Sequence, residues 1–259
     1  MRKLEKDPKN FVRGALASNV LKLCSLVGPI KTNDYIFPIF LTLIKDENLE
    51  IRMTLINNLS ELNKEIKINN IIESIMPSIK EISANKSWRV RIQIMEIIPV
   101  LAKLFNQQLF MSHIFPICIT SLMDNVFSIR EAASKLFVTI YKDVKNDEFE
   151  KKLLEKLNEL CSSTSYLLRN TVLVYIKFFI EKLDDKIYFD FFEKKLIGII
   201  LILSKDKIAN IRINCAFVFN KIKDIKFKDN KINNEINNMI EILKKDNDTD
   251  VVTSINGKL

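Results

Sequence analysis

An arginine that follows a branched apolar residue recurs along the sequence, and a short polar side chain stands six residues before it. Successive arginines are 39 residues apart, except for a last interval of 43 residues. The arginines are Arg13, Arg52, Arg91, Arg130, Arg169 and Arg212. The polar residues are Asp7, Asp46, Asn85, Asp124, Ser163 and Asp206. Because guanidinium and carboxylate groups form paired, charge-assisted hydrogen bonds, we expect a structural ladder in which each arginine reaches the acidic residue of its own or an adjacent turn.

Side chains suited to catalysis are scarce. His113 is the only histidine, so Ser/His/Asp, Cys/His and histidine-metal sites are excluded. The four cysteines stand apart, without a Cys-x-x-Cys pair, in apolar helical patterns: Cys24, Cys118, Cys161 and Cys215. We expect buried thiols in a reducing compartment. The sequence predicts a protein that is not an enzyme and has no cofactor or metal.

Composition limits the fold and the compartment. The chain has 259 residues and is 47% hydrophobic, with only 4 Gly and 6 Pro, so a mostly helical protein is expected. No signal peptide and no uncharged apolar stretch of about 18 residues is present, which predicts a cytoplasmic or nuclear protein without a membrane partner. The net charge of +8 suits an anionic partner, but acidic residues are interleaved with the basic ones throughout.

Each period of 39 residues has room for two helices and little else. An apolar segment such as 35–44 precedes the polar residue, and an amphipathic one such as 51–62 follows it. We therefore expect the aspartate to lie in the turn and to cap the second helix. Pro38, Pro77 and Pro116 recur at the same interval and should bend the first helix.

Helix pairs that repeat in this way predict an all-α fold, a curved α-solenoid of about six to seven antiparallel pairs in a single domain covering 1–259. The expected units are 1–30, 31–69, 70–108, 109–147, 148–186, 187–230 and 231–259. Both ends look truncated. The longer interval is expected to add about one helical turn near 181–195, in the loop between repeats.

Large aromatic residues stand three positions before the arginine in the three central units: Trp88, Phe127 and Tyr166. Asn10, Leu49 and Ala209 fill the same place elsewhere. Two interpretations remain open. The rings could pack between helices, or they could line one edge as a recognition surface, which we call the aromatic ridge. Three rings in register at a polar turn favour the ridge, with Trp88 as a binding hot spot.

The segments 43–59, 87–102 and 122–136 resemble consecutive repeats of the HEAT-repeat family, and within it the C-terminal half of the scaffold (A) subunits of protein phosphatase 2A. This resemblance implies a non-catalytic scaffold whose turns hold the phosphatase catalytic subunit. The implied contact residues are Trp88, Arg89, Phe127, Tyr166, Arg169, Ile208 and Ala209.

The likeness also has departures. Phe127 stands where tyrosine is expected, and the last unit has Val252 in place of the arginine. We do not expect regulatory subunits to bind, because the N-terminal repeats that would hold them have no counterpart in this sequence. The alternative is a HEAT solenoid that binds nucleic acid or another protein cargo through a basic concave face, and a salt titration would separate the two.

Overall fold

The computed structural model describes residues 3–66 and 72–257, and the chain divides into two compact units, Met1–Cys118 and Ile119–Leu259. The described residues form helices and turns without a strand. Helices alternate in antiparallel pairs within each unit, which confirms the predicted all-α solenoid. A single domain over the whole chain stays a prediction, and the expected repeat boundary at 69 and 70 lies outside the described residues.

The first unit begins with a single helix and continues with helix pairs. Its helices are α1 (Asn10–Val20), α2 (Cys24–Lys31), α3 (Phe37–Leu43), α4 (Leu49–Asn57), α5 (Leu59–Glu65), α6 (Ile72–Ser83), α7 (Trp88–Arg91), α8 (Gln93–Leu104) and α9 (Gln107–Leu109), and α10 (Phe115–Ser121) contains the boundary. Helix α1 packs beside α4, and α4 and α5 pack beside α8. These second helices of successive repeats form one layer of the unit.

The second unit shows the two-layer arrangement most clearly. Its helices are α11 (Phe127–Val144), α12 (Asp147–Cys161), α13 (Tyr166–Ile180), α14 (Lys186–Phe191), α15 (Ile197–Leu203), α16 (Ala209–Ile222), α17 (Asn230–Leu243) and α18 (Thr249–Ile255). The second helices α11, α13, α16 and α18 lie side by side in one layer, and α12, α15 and α17 form the other. Each pair thus covers its apolar face on its neighbours, as expected for repeats.

Apolar residues at helical spacing supply the core between the layers. On α13, Val172, Tyr175, Ile176 and Phe179 are buried, three or four residues apart. The rings of Phe179 and Tyr188 lie 5.1 Å apart between centroids, inside a cluster of aromatic side chains. This core holds the ends of the second helices in fixed positions.

The prolines do not act as the sequence suggested. A π-helical turn precedes α3, α10 and α15, at Thr32–Ile36, Phe110–Ile114 and Phe192–Leu196. Pro38 and Pro116 follow the first two turns, but Gly198 occupies the same place after the third. Because the π-turn also occurs where the residue is glycine, proline is not its cause. It is the wider turn that accommodates the missing amide and the proline ring.

The extra residues of the longest repeat do not lie in the loop between repeats. The first helix of that repeat runs over 186–203, whereas its counterpart α12 runs over 147–161. From the column arginine to the start of the next first helix, the two repeats have the same number of residues. The prediction of a longer loop was therefore wrong, because the added turn continues the helix.

Other expectations concern the apolar segments. All four cysteines are buried and unpaired, as predicted. By length and composition alone, one helical stretch, Asn10–Leu43, could cross a membrane, and a third of its most apolar window is buried within the protein. Gly28 interrupts that stretch with φ 77° and ψ 173°, a conformation that favours glycine. The weak hydropathy signal thus covers packed helices of successive repeats rather than one straight helix.

Candidate functional site

The turns inside the helix pairs share one hydrogen-bond pattern. The Oδ1 atoms of Asp46, Asp124 and Asp206 each accept the amide hydrogen of the residue two positions later, at 2.8 Å. That later residue, not the aspartate, is the N-cap of the second helix. The expectation that the aspartate caps the helix is therefore corrected. The aspartate closes the turn just before the cap, because its short side chain mimics a backbone acceptor.

Three of the arginines reach the aspartate of the next turn. Nε and Nη2 of Arg13 donate to Asp46 at 2.6 and 3.0 Å, and the same atoms of Arg169 donate to Asp206 at 2.5 and 3.0 Å. Arg212 makes the same paired contact with Asp246, at 2.7 and 2.8 Å. Burial opposes ionisation of Asp206, but hydrogen bonds from Arg169 and from the Ile208 amide outweigh it and hold the pKa of Asp206 below its usual 3.8.

The remaining arginines use other acceptors. Arg52 forms its paired contact with Glu81, at 2.6 and 3.0 Å, where the polar column has Asn85. Nε of Arg130 donates to the hydroxyl of Thr171 at 3.0 Å. Both substitutes lie outside the column of polar residues, so the period of the sequence did not predict them.

Nη1 of most column arginines holds the turn of its own repeat. It donates to the carbonyl of the polar residue six positions earlier, at 2.7 to 2.8 Å. This contact is made by Arg13, Arg91, Arg130, Arg169 and Arg212. The guanidinium therefore fixes its own turn and, through Nε and Nη2, fastens that turn to the next acceptor.

This geometry changes the role expected for Arg169. Arg169 is buried, and its guanidinium donates to Asp206 and to the carbonyls of Ser163 and Thr164. Contact with a partner was expected for this residue, but its donors are directed into the stack of helices. Arg169 is therefore a ladder residue, like Arg13 and Arg212.

Each aromatic of the ridge is the first residue of a second helix. Trp88 begins α7, Phe127 begins α11 and Tyr166 begins α13. Their exposed fractions are 36%, 45% and 44%, so the rings are half covered by the protein and half open to solvent. Within the second unit, Phe127 and Tyr166 start neighbouring helices of one layer and thus belong to one edge. Trp88 has the equivalent position in the first unit.

Cations stand over two of the rings. The guanidinium carbon of Arg89 lies 4.9 Å from the centre of the Trp88 ring, and that of Arg130 lies 5.6 Å from the centre of the Phe127 ring. Such contacts lie within the range of cation–π attraction. Arg89 is itself exposed, so the Trp88–Arg89 pair presents both a ring and a charge to solvent.

The last expected contact residues are smaller. Ile208 is the N-cap of α16, Ala209 is its first residue, and both are half-buried. They continue the edge beyond Tyr166 without a projecting ring. His113 lies half-buried in the second π-turn, away from these helix starts.

Sequence reasoning missed a group on the exposed face of α13 and α16, namely Lys177, Asn214 and Phe217. Nζ of Lys177 donates to Oδ1 of Asn214 and lies 4.6 Å from the centre of the Phe217 ring. No other repeat has these residue types at the same places, so the period carries no signal for them. Among residues 3–66 and 72–257, no three metal-ligating side chains cluster.

Paired helices fastened turn to turn by arginines define the chain as a HEAT-like helical-repeat protein. Residues 1–82 match the family model described as PIK3R4-like, middle domain. A computationally designed armadillo repeat protein for modular peptide recognition aligns with a TM-score of 0.42 and 14% identity, covering 85% of this chain and 97% of that chain.

Regulatory subunits of protein phosphatases are among the similar proteins. Serine/threonine-protein phosphatase 4 regulatory subunit 4 of Mus musculus is 23% identical over 202 residues, or 71% of this chain and 22% of that protein. The beta isoform of the 65 kDa regulatory scaffold of serine/threonine-protein phosphatase 2A from Homo sapiens is 33% identical over 64 residues, or 25% of this chain and 11% of that protein. The chain spans less than a quarter of the length of either relative.

Proposed function

We propose that this chain is a non-catalytic scaffold that holds the catalytic subunit of a 2A-type serine/threonine phosphatase through its aromatic ridge. The observation that carries the proposal is the equivalent position of Trp88, Phe127 and Tyr166, each half exposed at the start of a second helix. Similarity to phosphatase regulatory subunits supports the identity of the partner.

The ridge has the properties of an interface anchor. Large rings bury much area on binding, and helix starts fixed by the arginine ladder lose little conformational freedom. The cation–π contact further restricts the Trp88 ring before any partner arrives. Arg169 supports the edge from below by holding the turn of Tyr166 against the next turn.

Calorimetric titration of the full chain with the recombinant catalytic subunit of a 2A-type phosphatase tests the proposal. Trp88→Ala should weaken binding by roughly 2 kcal/mol or more, as expected when a hot-spot ring is removed. Phe127→Ala and Tyr166→Ala should weaken it by smaller amounts. Ile202→Ala is the matched control, because Ile202 is an exposed apolar residue (64%) on α15, away from the helix starts.

Two results would overturn the proposal. One is a folded wild-type chain that does not bind the catalytic subunit. The other is tight binding that all three ridge variants retain, because the ridge would then not be the interface. If Trp88→Ala lowers the melting temperature sharply and leaves affinity intact, the ring belongs to the core instead.

A further inference from the structure

A groove runs across three neighbouring second helices of the second unit. It has a volume of about 670 Å³ and lies over α11, α13 and α16. Val174, Phe178 and Phe217 give it an apolar floor, and Phe217 is 46% exposed. Phe127 reaches its far end, but Trp88 and Tyr166 do not line it. This groove is therefore largely separate from the aromatic ridge.

Two lysines flank the exposed ring at the centre of the groove. Nζ of Lys177 lies 4.6 Å from the centre of the Phe217 ring, and Nζ of Lys221 lies 5.6 Å from it. Lys177 donates one hydrogen bond, to Asn214, although an ammonium has three donors. Within the described part of the chain, neither lysine has a carboxylate at ion-pair distance. Two cations on one ring without a counter-ion leave an electrostatic demand that a bound anion would meet.

The placement of Lys177 strengthens this demand. The side chain is half-buried between α13 and α16, and burial holds the pKa of Lys177 below its usual 10.5. A charged group in such a position is stabilised strongly by an anionic partner, because water screens the pair less than at the surface. Asn214 is itself fixed by its contact with Asn170, at 3.0 Å, so the acceptor of Lys177 is held in place.

Acidic side chains decide which kind of anion fits. Glu131, Glu181 and Asp184 line the rest of the groove and are exposed. A polyanion such as nucleic acid would place its successive phosphates against these carboxylates. A protein segment can instead place a single carboxylate at the lysines and an apolar side chain on Phe217.

From these observations we infer that the groove binds a short extended segment of a partner protein, with an acidic residue between Lys177 and Lys221 and an apolar neighbour on Phe217. Three helices packed about 10 Å apart span roughly 20 Å, which about six extended residues cover. Asn170 and Asn214 offer amide groups to the backbone of that segment. This inference does not depend on phosphatase binding.

Fluorescence anisotropy of a labelled peptide tests the inference on the full chain. The probe is a peptide of about eight residues with a central Leu-Glu-Leu in a Ser/Gly background. Its control replaces the glutamate by glutamine. The wild-type chain should bind the glutamate peptide, and the glutamine peptide should bind about tenfold more weakly, since a charged hydrogen bond is lost.

Variants locate the peptide on the surface. Lys177→Met keeps the apolar stem and removes the charge, so it should weaken binding about tenfold or more. Lys231→Met is the matched control, because Lys231 is an exposed lysine on α17, outside the groove. Phe217→Ala should also weaken binding, and circular dichroism of each variant checks that it is folded. Trp88→Ala should bind the peptide as the wild type does, so failure at the ridge and failure here are distinguishable.

Three outcomes would overturn the inference. Lys177→Met could bind as tightly as Lys231→Met, or the glutamate and glutamine peptides could bind equally. A single-stranded oligonucleotide could also displace the peptide and lose affinity in Lys177→Met, with a steep salt dependence between about 50 and 200 mM. That last result would assign the groove to nucleic acid.

Discussion

At the scale of single residues, the tyrosines of the second unit differ in how their hydroxyl groups are satisfied. Tyr175 is fully buried, and its hydroxyl has no hydrogen-bond partner in the part of the chain that is described. A buried polar group without a partner costs free energy that an apolar isostere avoids. Tyr175→Phe should therefore leave the free energy of unfolding unchanged or raise it by about 1 kcal/mol, as measured by urea unfolding.

The neighbouring Tyr188 gives the matched comparison. Its hydroxyl donates to the carbonyl of Val138 at 2.9 Å inside the same aromatic cluster. Tyr188→Phe should lower the free energy of unfolding by about 1 kcal/mol, because that hydrogen bond is lost without a replacement. If both substitutions destabilise the chain equally, the two hydroxyl groups are equally satisfied and the distinction is wrong.

At the scale of elements, the ladder has rungs of unequal strength. Arg169 contacts Asp206, whose side chain is only 8% exposed, whereas Arg52 contacts Glu81, whose side chain is 61% exposed. Arg169→Met should cost about 3 kcal/mol or more, because Asp206 is left buried and uncompensated. Arg52→Met should cost clearly less, since water can solvate Glu81. Urea unfolding of both variants measures the difference.

Removal of both partners provides the control for this argument. The double variant Arg169→Met, Asp206→Leu removes the buried charge along with its partner, so it should recover part of the loss of Arg169→Met. Recovery should be incomplete, because the carbonyls of Ser163 and Thr164 also lose their donor. A double variant no more stable than Arg169→Met would show that the lost stability comes from those carbonyls.

The sequence could predict the elements that repeat, but not those specific to one repeat. Arginines at a fixed interval predicted helix pairs, because only a repeated unit places the same side chain at the same turn. Glu81 and Thr171 as acceptors could not be predicted, since they face the arginines only once the helices stack. The π-turn at Phe192–Leu196 likewise lacks the proline that marks the other two.

The same limit applies to the candidate sites of the whole molecule. Trp88, Phe127 and Tyr166 could be predicted because they share one register, and the structure gives their half-exposed positions. Lys177 and Phe217 meet across two helices and belong to no register, so only the packing of α13 against α16 shows them. Burial of Arg169 could not be predicted either, because an arginine in a turn reads the same whether it points inward or outward.

Stability of the whole molecule should depend on pH through the acidic ends of the ladder. Hydrogen bonds from arginines and backbone amides hold the pKa values of Asp46, Asp206 and Asp246 below 3.8, although burial opposes this for each of them. A carboxyl group with a lowered pKa in the folded state contributes stability that is complete above its usual pKa and lost as pH falls through the folded value. The free energy of unfolding should therefore be steady down to about pH 5 and fall below it.

Asp206→Asn isolates one rung of this pH dependence. At neutral pH the variant should be less stable than the wild type, because the paired charge of Arg169 has lost its carboxylate. As pH falls below about 4, protonation removes the same charge from the wild type, so the difference in the free energy of unfolding should shrink. Urea unfolding at a series of pH values measures that difference. A gap that stays constant down to acid pH would mean that Asp206 stabilises the turn through its shape and its bond to Ile208, and not through its charge.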